Sequence, residues 1–154
     1  MEETTFLIFI QLFLATILGA LIGIERGYKE KPAGMKTHAL VCMGAAMFIA
    51  LNRYTLQGFP LEEISLDPSR VLASIVVGVG FIGGGLIIKR KFEVEGLTTA
   101  AGLWVSAAVG AGIGMGIYLP SIFATFLTLF VFHGFTSFEN KFIRRRSDHE
   151  APQR

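Results

Sequence analysis

The chain has 154 residues, enough for one domain, and its composition is that of a membrane protein. Hydrophobic residues make up 52% of it and charged residues only 17%, against about 25% in a typical soluble domain. The net charge of +2 does not indicate nucleic-acid binding, because the basic residues lie in short clusters between apolar runs. The sequence therefore predicts an integral membrane protein whose surroundings are the lipid bilayer, with no nucleic-acid partner.

Five apolar runs follow one another along the chain, each suited to a membrane-spanning helix. The first follows the acidic pair Glu2-Glu3, unlike the basic start of a secretory signal, so we expect it to stay in the mature protein. A cluster of glycines before Pro120 separates the fourth run from the fifth, because proline ends or kinks a helix. The predicted spans cover residues 6–24, 37–54, 71–88, 97–116 and 118–135. We expect an all-α membrane protein, a bundle of five transmembrane helices within one domain over 1–138.

The basic residues predict how this bundle is oriented. Twelve of the fourteen Lys and Arg residues lie in the segments 25–36 and 89–91 and in the tail after residue 138. Loops rich in Lys and Arg stay in the cytoplasm, which places the N-terminus outside and the C-terminus in the cytoplasm. The basic tail, residues 139–154, lacks apolar periodicity, and we expect it to be disordered.

Small residues recur at four-residue spacing and so lie along single helix faces. We favour packing between the protein's own helices, and the alternatives are the face of a homo-oligomer or a lumen lined by backbone. The glycines predicted to pack are Gly19, Gly23, Gly78, Gly80, Gly83, Gly84 and Gly112.

Several polar residues at the ends of the predicted spans are functional candidates. Glu25 and Arg26 end the first span, where the arginine either extends to lipid phosphates or accompanies a Glu25 that turns inward. His38 begins the second span, and a lone histidine there favours a hydrogen-bonded end group over a metal ligand. Trp104 lies well inside the fourth span, which favours packing over an interfacial anchor.

The segment Asp67-Pro68-Ser69-Arg70 has the pattern of a helix start, with Asp67 as the cap and Arg70 within pairing distance. The alternative function for Asp67 is contact with a divalent cation, since magnesium uses one or two carboxylates plus waters. Glu25, at the opposite end of the bundle, is the second metal candidate. The sequence contains no nucleophile motif and no phosphate-binding loop, so we expect neither an enzyme nor a cofactor beyond such a Mg²⁺ contact.

Five motifs along the first four spans form a set. They are Gly19-x-x-Ile22-Gly23-x-Glu25-Arg26, Pro32-Ala33-Gly34-x-Lys36-Thr37-His38, Asp67-Pro68-x-Arg70-Val71, Gly78-Val79-Gly80-Phe81-Ile82-Gly83-Gly84-Gly85 and Gly96-Leu97-Thr98-Thr99-Ala100-Ala101-x-Leu103-Trp104. Together they resemble the MgtC/SapB family of bacterial inner-membrane proteins. The departures are Lys36, where arginine is usual, and Gly102, where serine or threonine is common. We also expect a short form, without the C-terminal soluble domain that many members carry.

The resemblance implies a multi-pass protein of the bacterial inner (plasma) membrane, associated with low magnesium, envelope stress or virulence-type adaptation. It adds the motif positions Arg26, His38, Arg70, Thr98, Thr99 and Trp104 to the functional candidates. It also implies a partner membrane complex such as the proton-driven ATP synthase. Our leading hypothesis is a non-enzymatic protein that modulates such a complex through helix packing. The alternative is a transporter or channel for a divalent cation (Mg²⁺), although the first four spans offer few polar groups at depth.

Overall fold

The computed structural model describes residues 2–57, 68–90 and 93–135, and within them the chain forms five α-helices and one short hairpin. The elements are α1 (Glu2–Tyr28), α2 (Met35–Gln57), α3 (Pro68–Gly85), β1 (Ile88–Arg90), β2 (Glu93–Glu95), α4 (Leu97–Gly114) and α5 (Tyr118–Phe130), which a π-helical turn (Val131–Phe135) extends. The predicted all-α class and the five helices are confirmed. Four helices, α1, α2, α4 and α5 with its π-helical turn, are long and apolar enough to cross a membrane. Asp67, Lys91 and the tail lie outside the described residues, and the orientation of the termini stays a prediction.

Helix α4 is the centre of the bundle, since it contacts each of the other four helices. Its closest approach is to α2, where a Cβ built on Gly110 would overlap the carbonyl oxygen of Cys42. Helix α1 approaches α2 from another side, and a Cβ on Gly19 would lie 2.6 Å from the Cβ of Cys42. The backbones of three helices therefore meet around Cys42 at distances that only glycine allows.

Helix α3 is the peripheral helix of the bundle. It buries Ile75 and Val79 against α2 and α4, in a cluster with Ala107 and Ala111. Most of its remaining surface is exposed, with Phe81 85% accessible. In a membrane protein such apolar surface faces lipid or another protein.

The end of α3 differs from the predicted third span, which was expected to reach Ile88. The helix ends at Gly85, because three consecutive glycines have low helix propensity. The N–H groups of Leu86 and Ile87 donate to the carbonyls of Gly83 and Gly84 in a closing turn. The chain then forms the antiparallel hairpin β1–β2, in which Lys89 lies opposite Val94. Lys89 and Arg90 of the basic segment 89–91 are thus part of a hairpin.

A three-residue turn separates α4 from α5. Gly116 has φ 83°, a left-handed conformation that suits glycine, and its N–H donates to the carbonyl of Ile113. Pro120 lies in the first turn of α5, where a missing N–H removes no helical hydrogen bond. The break is therefore centred on Gly116, and the position of Pro120 agrees with it, because a helix continued through this point would place the proline in its interior.

Candidate functional site

Polar side chains from several helices meet at one end of the bundle, which we call the His38 end. Glu25 and Arg26 come from the last turn of α1, Lys29 from the turn directly after this helix, and His38 from the first turn of α2. Ser106 of α4 contacts His38, and the ring of Phe132 in the π-helical turn lies against Arg26. We call these six residues the polar cluster.

The guanidinium group of Arg26 is buried at the His38 end, where the residue is only 4% exposed. Its carbon lies 3.8 Å from the centroid of the Phe132 ring, a cation–π contact. Its Nε donates a hydrogen bond of 2.6 Å to Oε2 of Glu25. Because Glu25 and Phe132 hold the side chain inside the bundle, the interpretation in which Arg26 extends to lipid phosphates is wrong.

The carboxylate of Glu25 is shared between two cations that lie close to it in the chain. One oxygen pairs with Arg26, and the other pairs with the ammonium group of Lys29 one turn further along. Lys29 also donates to the backbone carbonyl of Phe132 over 3.4 Å. This hydrogen bond connects the ion pairs at the end of α1 to the π-helical turn that follows α5.

His38 is completely buried, and its Nδ1 lies 2.9 Å from the hydroxyl oxygen of Ser106. That hydroxyl also lies 3.1 Å from the carbonyl oxygen of Gly102, and which group donates between His38 and Ser106 depends on the tautomer of the imidazole ring. The second ring nitrogen, Nε2, is buried and has no hydrogen-bond partner among the described residues. His38 thus joins α2 to α4 in the interior of the bundle rather than at a lipid interface.

The remaining candidates are dispersed. Thr99 is buried in the first turn of α4, at the His38 end, whereas Thr98 beside it is exposed. Arg70 is exposed in the first turn of α3, and its predicted partner Asp67 lies outside the described residues. Among the described residues no three His, Cys, Asp or Glu side chains are grouped so that they could hold a metal ion.

Comparison with known proteins gives the family of the chain. The profile described as the MgtC family matches residues 12–141. The chain belongs to the MgtC family. It is 45% identical over 127 residues to the Escherichia coli K12 protein named putative magnesium transporter YhiD, covering 82% of this chain and 59% of that protein. It is 41% identical over 120 residues to protein MgtC of Salmonella typhimurium, which covers 78% of this chain and 48% of that protein.

A third relative, uncharacterized protein slr0014 of Synechocystis, is 38% identical over 120 residues, which cover 78% of this chain and 48% of the relative. The chain thus spans about half of the length of the curated relatives it matches. No solved structure matches it.

The departure from the MgtC family pattern at Gly102 has a structural counterpart in the polar cluster. A Cβ at Gly102 would lie 2.7 Å from Cζ of Phe132 and 3.2 Å from Cε1 of His38. The missing side chain therefore leaves the space that the Phe132 ring occupies. The spacing of Gly102 and Ser106, four residues apart on one helix face, is a signal that could have linked Ser106 to this site. Nothing in the sequence pattern indicates that Phe132 is part of it.

The glycines predicted to pack fall into two groups. Those of α1 and α4 pack tightly: a Cβ on Gly23 would lie 2.6 Å from Cα of Met35, and one on Gly112 would overlap Ser121. Gly83 of α3 makes only an ordinary contact, 3.5 Å from Ala100. A Cβ on Gly78, Gly80 or Gly84 would meet no heavy atom within 4 Å in the described part of the chain. The prediction that these three pack within the chain is wrong, because α3 stands apart from its neighbours.

Two hollows flank α3 as a result. The α2–α3 cleft has a volume of about 680 Å³, and its lining includes Gly44 and Phe48 of α2 and Arg70 and Gly78 of α3. The α3–α4 groove has a volume of about 500 Å³, and its lining includes Gly80, Gly83, Gly84, Ala100, Ala101 and Trp104. Trp104 is 50% exposed in this groove, so the expectation that it packs inside the bundle is wrong.

Proposed function

We propose that the chain is a non-enzymatic protein of the bacterial inner membrane that takes part in magnesium or envelope-stress adaptation. In this proposal it acts by packing against a helix of a partner membrane complex. The link to magnesium is supported by membership of the MgtC family and by the name of the Escherichia coli relative, putative magnesium transporter. The mode of action is supported by the α3–α4 groove.

The open glycines of this groove are the observation that carries the proposal. Gly80 and Gly84 lie one turn apart on α3, and neither packs against the described part of the chain. An interior glycine costs roughly 1 kcal/mol of helix stability against alanine, and no contact inside this bundle offsets that loss. In a membrane, glycine lets a second helix approach closely, and a half-exposed Trp104 beside the groove adds apolar contact area.

The polar groups at depth support a modulatory role over ion permeation. A permeation path needs polar groups that face it. Gln11 instead donates to the hydroxyl of Tyr118 across the bundle. Several hydroxyl groups likewise donate to the backbone carbonyl four residues earlier, so their protons are used locally. These hydroxyl groups belong to Thr16, Ser74, Ser106, Ser121, Thr125 and Thr128.

Copurification tests the proposal, with the proton-driven ATP synthase as the first partner to examine. The tagged chain would be extracted from native membranes in mild detergent and probed for subunits of that complex. Gly80→Leu and Gly84→Leu fill the groove without an internal clash, and we expect each to lower recovery about tenfold, a loss of about 1.4 kcal/mol. Gly85→Leu is the matched control, since Gly85 is equally open and lines neither hollow.

A flux assay separates this proposal from the alternative of a magnesium transporter, which the name of the Escherichia coli relative favours. The purified chain would be placed in liposomes that contain a magnesium-sensitive dye. Absence of flux together with copurification would support modulation. Flux that Asp67→Asn abolishes would overturn it in favour of transport.

A further inference from the structure

We propose that the α2–α3 cleft binds one phospholipid, with the phosphate at Arg70 and an acyl chain along the cleft. This inference does not depend on the proposed function, which concerns the groove on the other side of α3. Three features of the cleft support this inference: its apolar lining, the position of one charge and its depth.

The lining of the cleft requires an apolar occupant. Its walls are formed by apolar side chains such as Leu40, Phe48 and Ile75. Among the described residues that line the cleft, Arg70 is the only charged one. The one hydroxyl group, of Ser74, donates to the carbonyl of Arg70 over 2.9 Å and so needs no further partner. Below its mouth the cleft therefore offers apolar surface alone, which suits a hydrocarbon chain.

The charge at the mouth selects an anionic group. Arg70 lies in the first turn of α3 and is exposed. A guanidinium group matches the geometry of phosphate oxygens and binds them through paired hydrogen bonds. The N-terminus of α3 adds positive partial charge at the same place, since α3 begins at Pro68. Charge complementarity therefore places a phosphate at the entrance of the apolar cleft.

The depth of the cleft matches one lipid leaflet. Its lining on α3 extends from Arg70 to Ile82, about 18 Å at 1.5 Å per residue. One leaflet of a hydrocarbon core about 30 Å thick measures about 15 Å. A lipid anchored by its phosphate at Arg70 would fill this depth. A helix of a partner, about 10–12 Å across with its side chains, would instead continue through both leaflets.

Glycine on both facing walls leaves the cleft open. A Cβ on Gly44 of α2 or Gly78 of α3 would meet no heavy atom within 4 Å, so packing does not require glycine at either position. The resulting volume, about 680 Å³, lies within the range of about 300–1,000 Å³ that is typical of small-molecule sites. Leucine at Gly78 would occupy this space without disturbing the bundle.

Lipid titration followed by native mass spectrometry tests the inference on the full chain, delipidated in mild detergent. We expect the unmodified chain to bind one phosphatidylglycerol about tenfold more tightly than diacylglycerol with the same acyl chains, a difference of about 1.4 kcal/mol. Arg70→Gln should remove this preference and leave diacylglycerol affinity unchanged. Gly78→Leu should weaken both ligands about tenfold, and Gly85→Leu, outside the cleft, should weaken neither.

Three results would overturn the inference. The first is equal affinity for phosphatidylglycerol and diacylglycerol, and the second is unchanged binding in Gly78→Leu. The third is a dimer without bound lipid that Gly78→Leu dissociates, which would assign the cleft to a second copy of the chain. If Gly78→Leu does not fold, Gly44→Leu on the opposite wall replaces it. Because these variants leave the α3–α4 groove intact, failure here is distinguishable from failure of the proposed partner.

Discussion

The guanidinium carbon of Arg26 lies 3.8 Å from the centroid of the Phe132 ring, which joins the first helix of the bundle to the π-helical turn after the last. A buried arginine is tolerated only with compensating partners, and here Glu25 supplies the charge and Phe132 the ring face. An ionisable group inside a membrane bundle is a functional candidate by default. In this chain its immediate structural effect is to hold α1 and α5 together at the His38 end.

Removing the aromatic ring from this pair should destabilise the bundle. We expect Phe132→Leu to lower the free energy of unfolding in detergent by about 2 kcal/mol, because a desolvated cation–π contact is worth about that amount. Chemical unfolding followed by circular dichroism measures the change. Phe126→Leu is the control, since Phe126 is 59% exposed and its loss should change the free energy of unfolding far less.

The same pair predicts a coupling between the two residues. In a double-mutant cycle with Arg26→Met, the loss caused by Phe132→Leu should shrink by about 2 kcal/mol when the guanidinium is already absent. Strictly additive losses would contradict a direct interaction between the two side chains.

Gly102→Ser should destabilise the polar cluster. A Cβ there would lie 2.7 Å from Cζ of Phe132, so the ring must move, and overpacking of this kind costs about 1–3 kcal/mol. The melting temperature in detergent should fall. In the Phe132→Leu background, where the ring is absent, Gly102→Ser should cost much less than in the unmodified chain, and an equal cost in both backgrounds would contradict the clash as the cause.

Two glycine-to-alanine changes should have opposite signs. Gly110→Ala places a methyl group on the carbonyl oxygen of Cys42, and because backbone has to move, we expect a loss of about 3 kcal/mol. Gly44→Ala meets no heavy atom within 4 Å, and the better helix propensity of alanine should raise the free energy of unfolding by about 1 kcal/mol. Equal effects would mean that α2 and α4 do not meet at Cys42 as closely as described.

The predictable part of the fold was the number and order of its helices, because the length of an apolar run is set by the membrane core. The hairpin at Ile88–Arg90 and Glu93–Glu95 was missed, since its strands are only three residues long and the basic residues of the first strand have the pattern of a topology signal. The position of α3 was missed for another reason. Glycine spacing shows that a helix face can be packed, but only the arrangement of the neighbouring helices determines whether it is.

The candidate site was predictable only residue by residue. Glu25, Arg26 and His38 stand out as polar groups at the ends of apolar runs. Their mutual arrangement could not be predicted, because it depends on contacts between distant parts of the chain. The hydrogen bond between His38 and Ser106, for example, joins residues that are 68 positions apart. Phe132 was missed because an aromatic residue in an apolar run is unremarkable until a buried cation lies against it.

Cysteine labelling tests whether α3 crosses the membrane, because α3 is not among the four described helices that are long and apolar enough to do so. Its 18 residues extend about 27 Å, slightly less than a hydrocarbon core of about 30 Å. Gln57→Cys precedes α3 and Lys91→Cys follows it. With a membrane-impermeant maleimide, we expect the first to react in intact cells and the second only after the cytoplasmic face is opened, because Lys and Arg loops stay inside. The native Cys42 is fully buried and should not react. Labelling of both positions from the same side would mean that α3 does not span the bilayer. Arg70 and the polar cluster would then no longer be placed at opposite faces of the membrane.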